Sequence, residues 1–298
     1  DPFPLYIGRS AGAYLFDIDG HAYLDALGEY TAGLYGHGDP RIVAEIERTA
    51  SRGLSNGAPG EKEIELAELI CARFPSVDQV RFCNSGTEAN LYALTLARHA
   101  TGRNGVLAFR GAYHGGVLAF PKEPSSMNVT FDWTMARYND MSVIELVRDK
   151  GDGLAAVIIE PMMSNGGSIP ANPEFLAALR AVTKETGALL IFDEVVSSRM
   201  GPGGLQQQFG VLPDLTTFGK YIGAGFSFGA FGGRADLMAT FDPRSPSSLG
   251  HAGTFNNNVF SMAVGALALG QIFTPERARK LLNEGNALRQ RLQDVARA

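Results

Sequence analysis

The stretch NPEFLAALRAVTKETGALLIFDE, Asn172 to Glu194, changes its periodicity half-way along. Its first part spaces Phe175, Leu176, Leu179 and Val182 as one face of a helix. From Ala188 the residues are apolar without alternation, and the run stops at two acids, Asp193 and Glu194. A strand that is apolar on both faces is one that helices cover from both sides. LAAVIIE, residues 154–160, is an earlier run of the same kind, again ending in an acid. Strand, helix, strand in this order implies parallel strands joined by a crossover helix. Working outward, QVRFC (79–83), TEANLYALTLARHA (87–100) and GVLAF (105–109) repeat the alternation. The expected fold class is α/β around a mostly parallel sheet.

The flanks read differently. AYLFDIDGHAYLDAL (13–27) has apolar runs on either side of Asp17-Ile18-Asp19-Gly20 and predicts a β-hairpin. DIDG lacks the later glutamate of a calcium loop, so it reads as turn chemistry. Asp39 and Pro40 open a helix as N-cap and first helical residue, and EKEIELAELICARF (61–74) is a second, amphipathic helix. From Pro275 the pattern turns charged and amphipathic. The start at Asp1 and the stop inside the helical LQDVARA read as cut ends.

Composition narrows the function. A net charge of −5 gives no reason to expect nucleic acid or an anionic membrane as partner, and no apolar run approaches the ~20 residues of a span. Two cysteines, Cys71 and Cys83, are too few for a disulfide framework and suggest a reducing, cytoplasmic setting. The five histidines have no metal-ligand spacing, so no metal is expected. Glycine is high, at 36 of 298 residues, against a usual ~7%.

In parallel sheets, ligands sit beyond the carboxyl ends of the strands. The residues there are Asn84 to Thr87, Gly111 to Gly115, Glu160, Asp193 and Glu194, with Lys220 after DLTTFG. FCNSGTEAN (82–90) places Ser85, Gly86 and Thr87 at a helix start, where free N–H groups and hydroxyls make a phosphate cradle. It is not a Walker A loop, since Tyr221 follows Gly219-Lys220, and Gly223, Gly225 and Gly229 do not make GxGxxG. Lys220 sits among aromatics and glycines in LTTFGKYIGAGFSFGAFGGR (215–234), a setting that favours the neutral, nucleophilic amine. The glycines around it are expected to let backbone approach a flat ligand. A phosphate site, a strand-end carboxylate, the aromatic face of Tyr113 and this lysine are together what pyridoxal 5′-phosphate requires.

NSGTEAN, GAYHG, the Glu-Pro pair 160–161, FDEV and TFGKYIGAG…FGAFGGR resemble, in order, the class III pyridoxal-phosphate aminotransferases. The pattern is similar to the glutamate-1-semialdehyde aminomutase-like members, and GTFNNN (253–258) and EYTAGLYGH (29–37) resemble the β-phenylalanine-type aminotransferases. The resemblance implies fold type I, with residues 38–272 as the large cofactor-binding domain. Residues 1–37 and 273–298 would belong to a smaller domain built from both chain ends. It implies Lys220 as Schiff-base lysine and proton shuttle, Asp193 as partner of the pyridinium nitrogen, and Ser85, Gly86 and Thr87 as the phosphate loop. Tyr113 would stack on the ring, Val195 pack its other face, and Glu160 stand near it. Thr254 would reach the phosphate of a neighbouring subunit, which implies a homodimer.

Glu29 and Tyr30 fall in the family's substrate-side segment. Where many relatives carry Gln, this chain has Met163, which leaves Asn165 as a candidate for the same contact. GTFNNNV in place of the aminomutases' GTLSGNP weakens the isomerase reading. The expected activity is amino-group transfer from an amino acid, such as the β-amino acid β-phenylalanine, to a keto acid. An aminomutase-type isomerase is the alternative, and a non-catalytic cofactor-binding protein a remote one.

Overall fold

The computed structural model describes residues 4–297; residues 1–3 and Ala298, at the outer ends of the expected terminal segments, lie outside the described residues. Strands β1 (Ile7–Ala11), β2 (Tyr14–Asp17) and β3 (Ala22–Leu24) form a small antiparallel sheet. The expected hairpin is β2–β3, and β1 adds to it. Asp17 ties the turn: Oδ1 accepts the N–H of Asp19 at 3.0 Å and of His21 at 2.9 Å, and Oδ2 accepts the Tyr23 hydroxyl at 2.9 Å. Burial works to raise its pKa, but the bonds from His21 and Tyr23 outweigh that and bring it down to about 2.

Helix α1 (Pro40–Ala50) opens as its sequence requires, with Asp39 accepting the Arg41 N–H at 2.9 Å and Pro40 at the first helical position. After α2 (Glu61–Arg73) the alternating region begins. It comprises β4 (Gln79–Cys83), α3 (Gly86–Thr101), β5 (Gly105–Phe109), β6 (Asp132–Ala136), α4 (Ser142–Lys150) and β7 (Leu154–Ile159). A two-residue pair, β8 (Met162–Met163) and β9 (Ile169–Pro170), leads to α5 (Pro173–Thr186) and β10 (Leu189–Asp193). Then come α6 (Gly204–Phe209), β11 (Leu215–Gly219), β12 (Gly229–Gly233), α7 (Ala235–Met238), α8 (Val259–Leu267) and the charged α9 (Pro275–Arg297).

Seven strands make one sheet in the order β4-β12-β11-β10-β7-β5-β6. The pairs β11–β10, β10–β7, β7–β5 and β5–β6 are parallel, and only β12 runs against its two neighbours. Strands β5, β7, β10 and β11 are buried along their whole length, which is why their sequences show no polar alternation. Helix α3 packs across β12, β11, β10 and β7, and α5 against β10. The core runs through Leu94, Leu107, Val157, Leu176, Leu190 and Phe231, all fully buried.

One expectation is corrected here. The glycines of β12 serve the sheet: a Cβ on Gly229 would lie 2.1 Å from the Ser85 carbonyl oxygen, and one on Gly233 2.2 Å from that of Asp214. Backbone is the neighbour in both cases, so no larger residue fits. Among the described residues no single helix is long and apolar enough to cross a membrane.

Candidate active site

Because β4, β5, β7, β10 and β11 point the same way, their last residues come together on one edge of the sheet. Immediately beyond β4, Ser85 caps α3, its hydroxyl oxygen accepting the Glu88 N–H at 3.2 Å. Glu88 reaches back, and its Oε2 accepts the Asn84 N–H at 2.9 Å. The capped end leaves the Ser85 O–H proton, the Thr87 hydroxyl and the first N–H groups of a 16-residue helix as donors. Gly86 lies under Val195: a Cβ there would be 2.9 Å from Val195 Cγ2. Thr87 lies against Gly115, whose φ of +127° and 2.2 Å clearance from Thr87 Oγ1 to an added Cβ admit only glycine.

Asp193, at the end of β10, is 4% exposed. Its Oδ2 accepts the Asn90 amide at 2.8 Å and His114 Nδ1 at 2.8 Å, while Oδ1 accepts the Val195 N–H at 3.0 Å. Asn90 is itself fixed, since its Oδ1 accepts the Thr217 hydroxyl at 2.7 Å. A carboxylate oxygen offers two acceptor positions, so Oδ2 is filled and Oδ1 keeps one free. The site therefore presents a buried, oriented carboxylate with a single open acceptor position on Oδ1.

Glu160, just past β7, accepts the Ser164 hydroxyl at 2.6 Å on Oε1 and the Tyr113 N–H at 3.3 Å on Oε2. Burial, reinforced by the Asp193 charge, raises its pKa above the usual carboxylate range, against the opposing effect of His114. Lys220 follows β11 with φ of +50°. The left-handed conformation is unfavourable for a residue with a Cβ, by about 1 kcal/mol or more, and here it turns a half-buried lysine into the space between Asp193 and Thr87. Tyr113, 44% exposed, also borders this space. Gly86, Thr87, Tyr113, Glu160, Asp193, Val195 and Lys220 border one cavity of about 160 Å³, joined by Asn90, His114, Gly115, Ser164 and Val196.

Five expected site residues do not border this cavity: Ser85, which caps α3 next to Gly86, and Asn165, Glu29, Tyr30 and Thr254. Asn165 is exposed in the turn between β8 and β9, and its neighbour Ser164 is the one that borders the cavity. Met163 turns into the core, 3% exposed. Glu29 stands by His37, 3.6 Å from its Nε2, and borders a separate cavity with Ala224 and Phe226; Tyr30 is 73% exposed. Thr254 is exposed and borders none of these cavities. Conversely Asn90 and His114 stand inside NSGTEAN and GAYHG, yet the pattern gave them no role. Nothing local marks an Asn in a helix or a His beside an aromatic; only their 2.8 Å contacts with Asp193 do.

A family model described as aminotransferase class-III matches residues 1–298. The chain is 52% identical over 292 residues to the beta-phenylalanine transaminase of Variovorax paradoxus, covering 98% of this chain and 67% of that protein. The chain belongs to the class III aminotransferases.

The solved beta-phenylalanine aminotransferase from Variovorax paradoxus superposes on this aminotransferase with a TM-score of 0.96, over 98% of this chain and 68% of the other. A transaminase solved with PLP bound is 36% identical, with a TM-score of 0.86 over 93% of this chain and 68% of that one. The glutamate-1-semialdehyde 2,1-aminomutase 2 of Brevibacillus brevis is 40% identical over 310 residues, 99% of this chain and 72% of the relative. The chain thus spans about two thirds of the length of these relatives. The cofactor of this class III aminotransferase is pyridoxal phosphate. The residues present fit it: a glycine cradle at a helix N-terminus for the phosphate, the open Oδ1 of Asp193 for a ring N–H, and Lys220 for the aldehyde.

Proposed function

We propose that this aminotransferase takes its amino group from a β-amino acid of the β-phenylalanine type and passes it to a keto acid. The 52% identity to a beta-phenylalanine transaminase over 98% of the chain supports the donor class. Convergence of Lys220 and Asp193 on one cavity beside the α3 N-terminus supports the chemistry.

When bound, pyridoxal phosphate supplies an electrophilic aldehyde and a ring that takes up the electron pair of the substrate's breaking C–H bond. Ser85, Thr87 and the α3 N–H groups would hold the phosphate. Asp193 Oδ1 would hold a proton on the ring nitrogen; Asn90 and His114 position Asp193 by filling Oδ2. Val195 and Tyr113, which border the same cavity, would pack against the ring. Lys220, held in a left-handed backbone at the cavity, would be the group that takes the proton from the amine-bearing carbon.

We further infer a homodimer in which Thr254, exposed here, contacts the neighbouring subunit's phosphate, with residues 38–272 as the cofactor domain and residues 1–37 and 273–298 belonging to a smaller one. Glu29 and Tyr30 remain our candidates for lining the substrate side. Thr254→Ala should then weaken cofactor retention, measured by spectral titration, and leave the subunit fold intact. An unaltered affinity rejects the role of Thr254.

A panel of α- and β-amino acids with 2-oxoglutarate or pyruvate tests the donor. Consumption of β-phenylalanine well above that of α-amino acids is expected. Turnover of glutamate-1-semialdehyde without any keto acid, with no net amine exchange, would instead make the chain an aminomutase, the reading that the Brevibacillus relative favours.

A further inference from the structure

Between β3 and α1 the backbone turns against the preference of L-amino acids. Gly28, Glu29, Tyr30 and Thr31 have φ of +57°, +47°, +53° and +79°. Residues other than glycine visit this region singly, not in runs, so a left-handed turn with three of them in succession has to be held. The turn closes on itself: Thr31 N–H donates to the Gly28 carbonyl at 2.8 Å, and Ala32 N–H to that of Glu29 at 3.1 Å. Both ends are fastened. Asp25 Oδ1 accepts the Gly28 N–H at 2.8 Å, and Arg199, from the segment after Asp193, donates to the Thr31 carbonyl at 3.0 Å.

The Glu29 side chain folds back over the turn, so that a Cβ on Gly33 would lie 2.2 Å from its Oε2. There it meets a second acid. One carboxylate oxygen of Glu29, one of Asp25 and a His37 ring nitrogen lie within 4.8 Å of one another. The imidazole serves Asp25: His37 Nε2 is 3.0 Å from Asp25 Oδ2, in a hydrogen bond, and 3.6 Å from Glu29 Oε1. Among the described residues no group donates a hydrogen bond to the Glu29 carboxylate. The other groups around this point offer it nothing. Asp39 is paired with Arg41 at 2.7 Å, Tyr35 comes from the same segment, and the lysine loop brings only Ala224, Gly225 and Phe226. An ionised Glu29 would face another carboxylate with no donor of its own. A protonated Glu29 can donate to Asp25, whose two oxygens each keep an acceptor position. The Gly28 N–H and His37 hold Asp25 below the usual carboxylate range; burial, then the Asp25 charge, push Glu29 above it against the opposing pull of His37. The proton therefore belongs on Glu29.

We propose that residues 28–31 form a strap locked by a Glu29 proton donated to Asp25, and released when Glu29 ionises. Glu29 and His37 border a cavity of about 460 Å³ together with Ala224, Gly225 and Phe226, just past Lys220. Release of the strap would loosen one wall of that cavity and the Thr31 contact of Arg199. Folding raises the Glu29 pKa, so the lock is complete below the ordinary 4.5 and is lost as the pH rises through the folded value. The inference is independent of the amine donor and of the transfer reaction itself.

Hydrogen exchange of the full holoenzyme, read by mass spectrometry from about pH 5 to about pH 9 and corrected for intrinsic rates, tests the lock in the peptide that holds Thr31 and Ala32. Protection there should fall by up to about tenfold per pH unit and then level off, while the amides of α3 stay unchanged. Glu29→Gln, whose amide donates to Asp25 at every pH, should keep the strap protected throughout, and Glu29→Ala should leave it open throughout. Wild-type protection that does not change with pH overturns the proposal. So does a pH response that survives in Glu29→Gln, since it would belong to His37. Should a variant fail to fold, wild-type crystals at acid and at alkaline pH decide: Glu29 on Asp25 in the first and swung away in the second is expected, and the same contact in both refutes the lock.

Discussion

Replacing Asp193 by Asn separates a charge from a shape. The wild-type carboxylate accepts three hydrogen bonds: Val195 N–H on Oδ1, and Asn90 and His114 on Oδ2. An amide has one acceptor end. If its oxygen stays with Asn90 and His114, its NH₂ faces the Val195 N–H; if it flips, the NH₂ faces two donors. Either way at least one donor meets another at a position 4% exposed, which costs about 1–3 kcal/mol. That much is expected even of a purely structural aspartate. The charge contributes separately. Losing one preorganised electrostatic contact in an active site costs about 2.7–4 kcal/mol, or 10²–10³ in rate. The asparagine variant should melt lower but remain folded at room temperature, with kcat reduced ~10²–10³-fold. Steady-state kinetics and a melting curve on the same preparation measure both. A lowered melting temperature with a near-normal kcat would show that Asp193 is only an acceptor for the loop, and the assignment of its open Oδ1 to a ring proton would be wrong.

Borohydride treatment of the holoenzyme followed by peptide mapping should find the cofactor fixed on Lys220; an adduct on any other lysine rejects the assignment. Gly115→Ala must adopt a φ of +127° and place its Cβ 2.2 Å from Thr87 Oγ1, so it should cost about 1–3 kcal/mol and weaken cofactor binding, read from denaturation and spectral titration. His251 is brought down to about 4, first by burial and then by the Arg81 charge. With a folded pKa below the ordinary 6.5, the unfolded chain takes up the proton first. Stability should thus be complete above pH 6.5 and be lost as the pH falls towards 4, and His251→Phe should flatten that slope in melting curves.

Much of this protein could be read along the chain. The strand order of burial, the helix starts at Asp39 and Ser85, and the chemistry of Lys220 and Asp193 are all encoded locally. An unbroken apolar run states that a strand has cover on both faces, and the residue that ends it lies at the ligand edge of the sheet. The edge strand β6, the reversed β12 and helix α8 were not legible in this way. Strand β12 is GAFGG, and its glycines gain their meaning only from the backbone of β4 and β11 pressed against them.

The same division runs through the candidate active site. Lys220 announces itself by an aromatic and glycine-rich neighbourhood, whereas His114 and Asn90 meet Asp193 across 79 and 103 residues of chain. Periodicity and capping act over a few residues, so sequence alone determined the elements and the two residues that end them. Hydrogen bonding depends on distance in space, so only the packed sheet, with its strand ends aligned, could decide what surrounds those two residues.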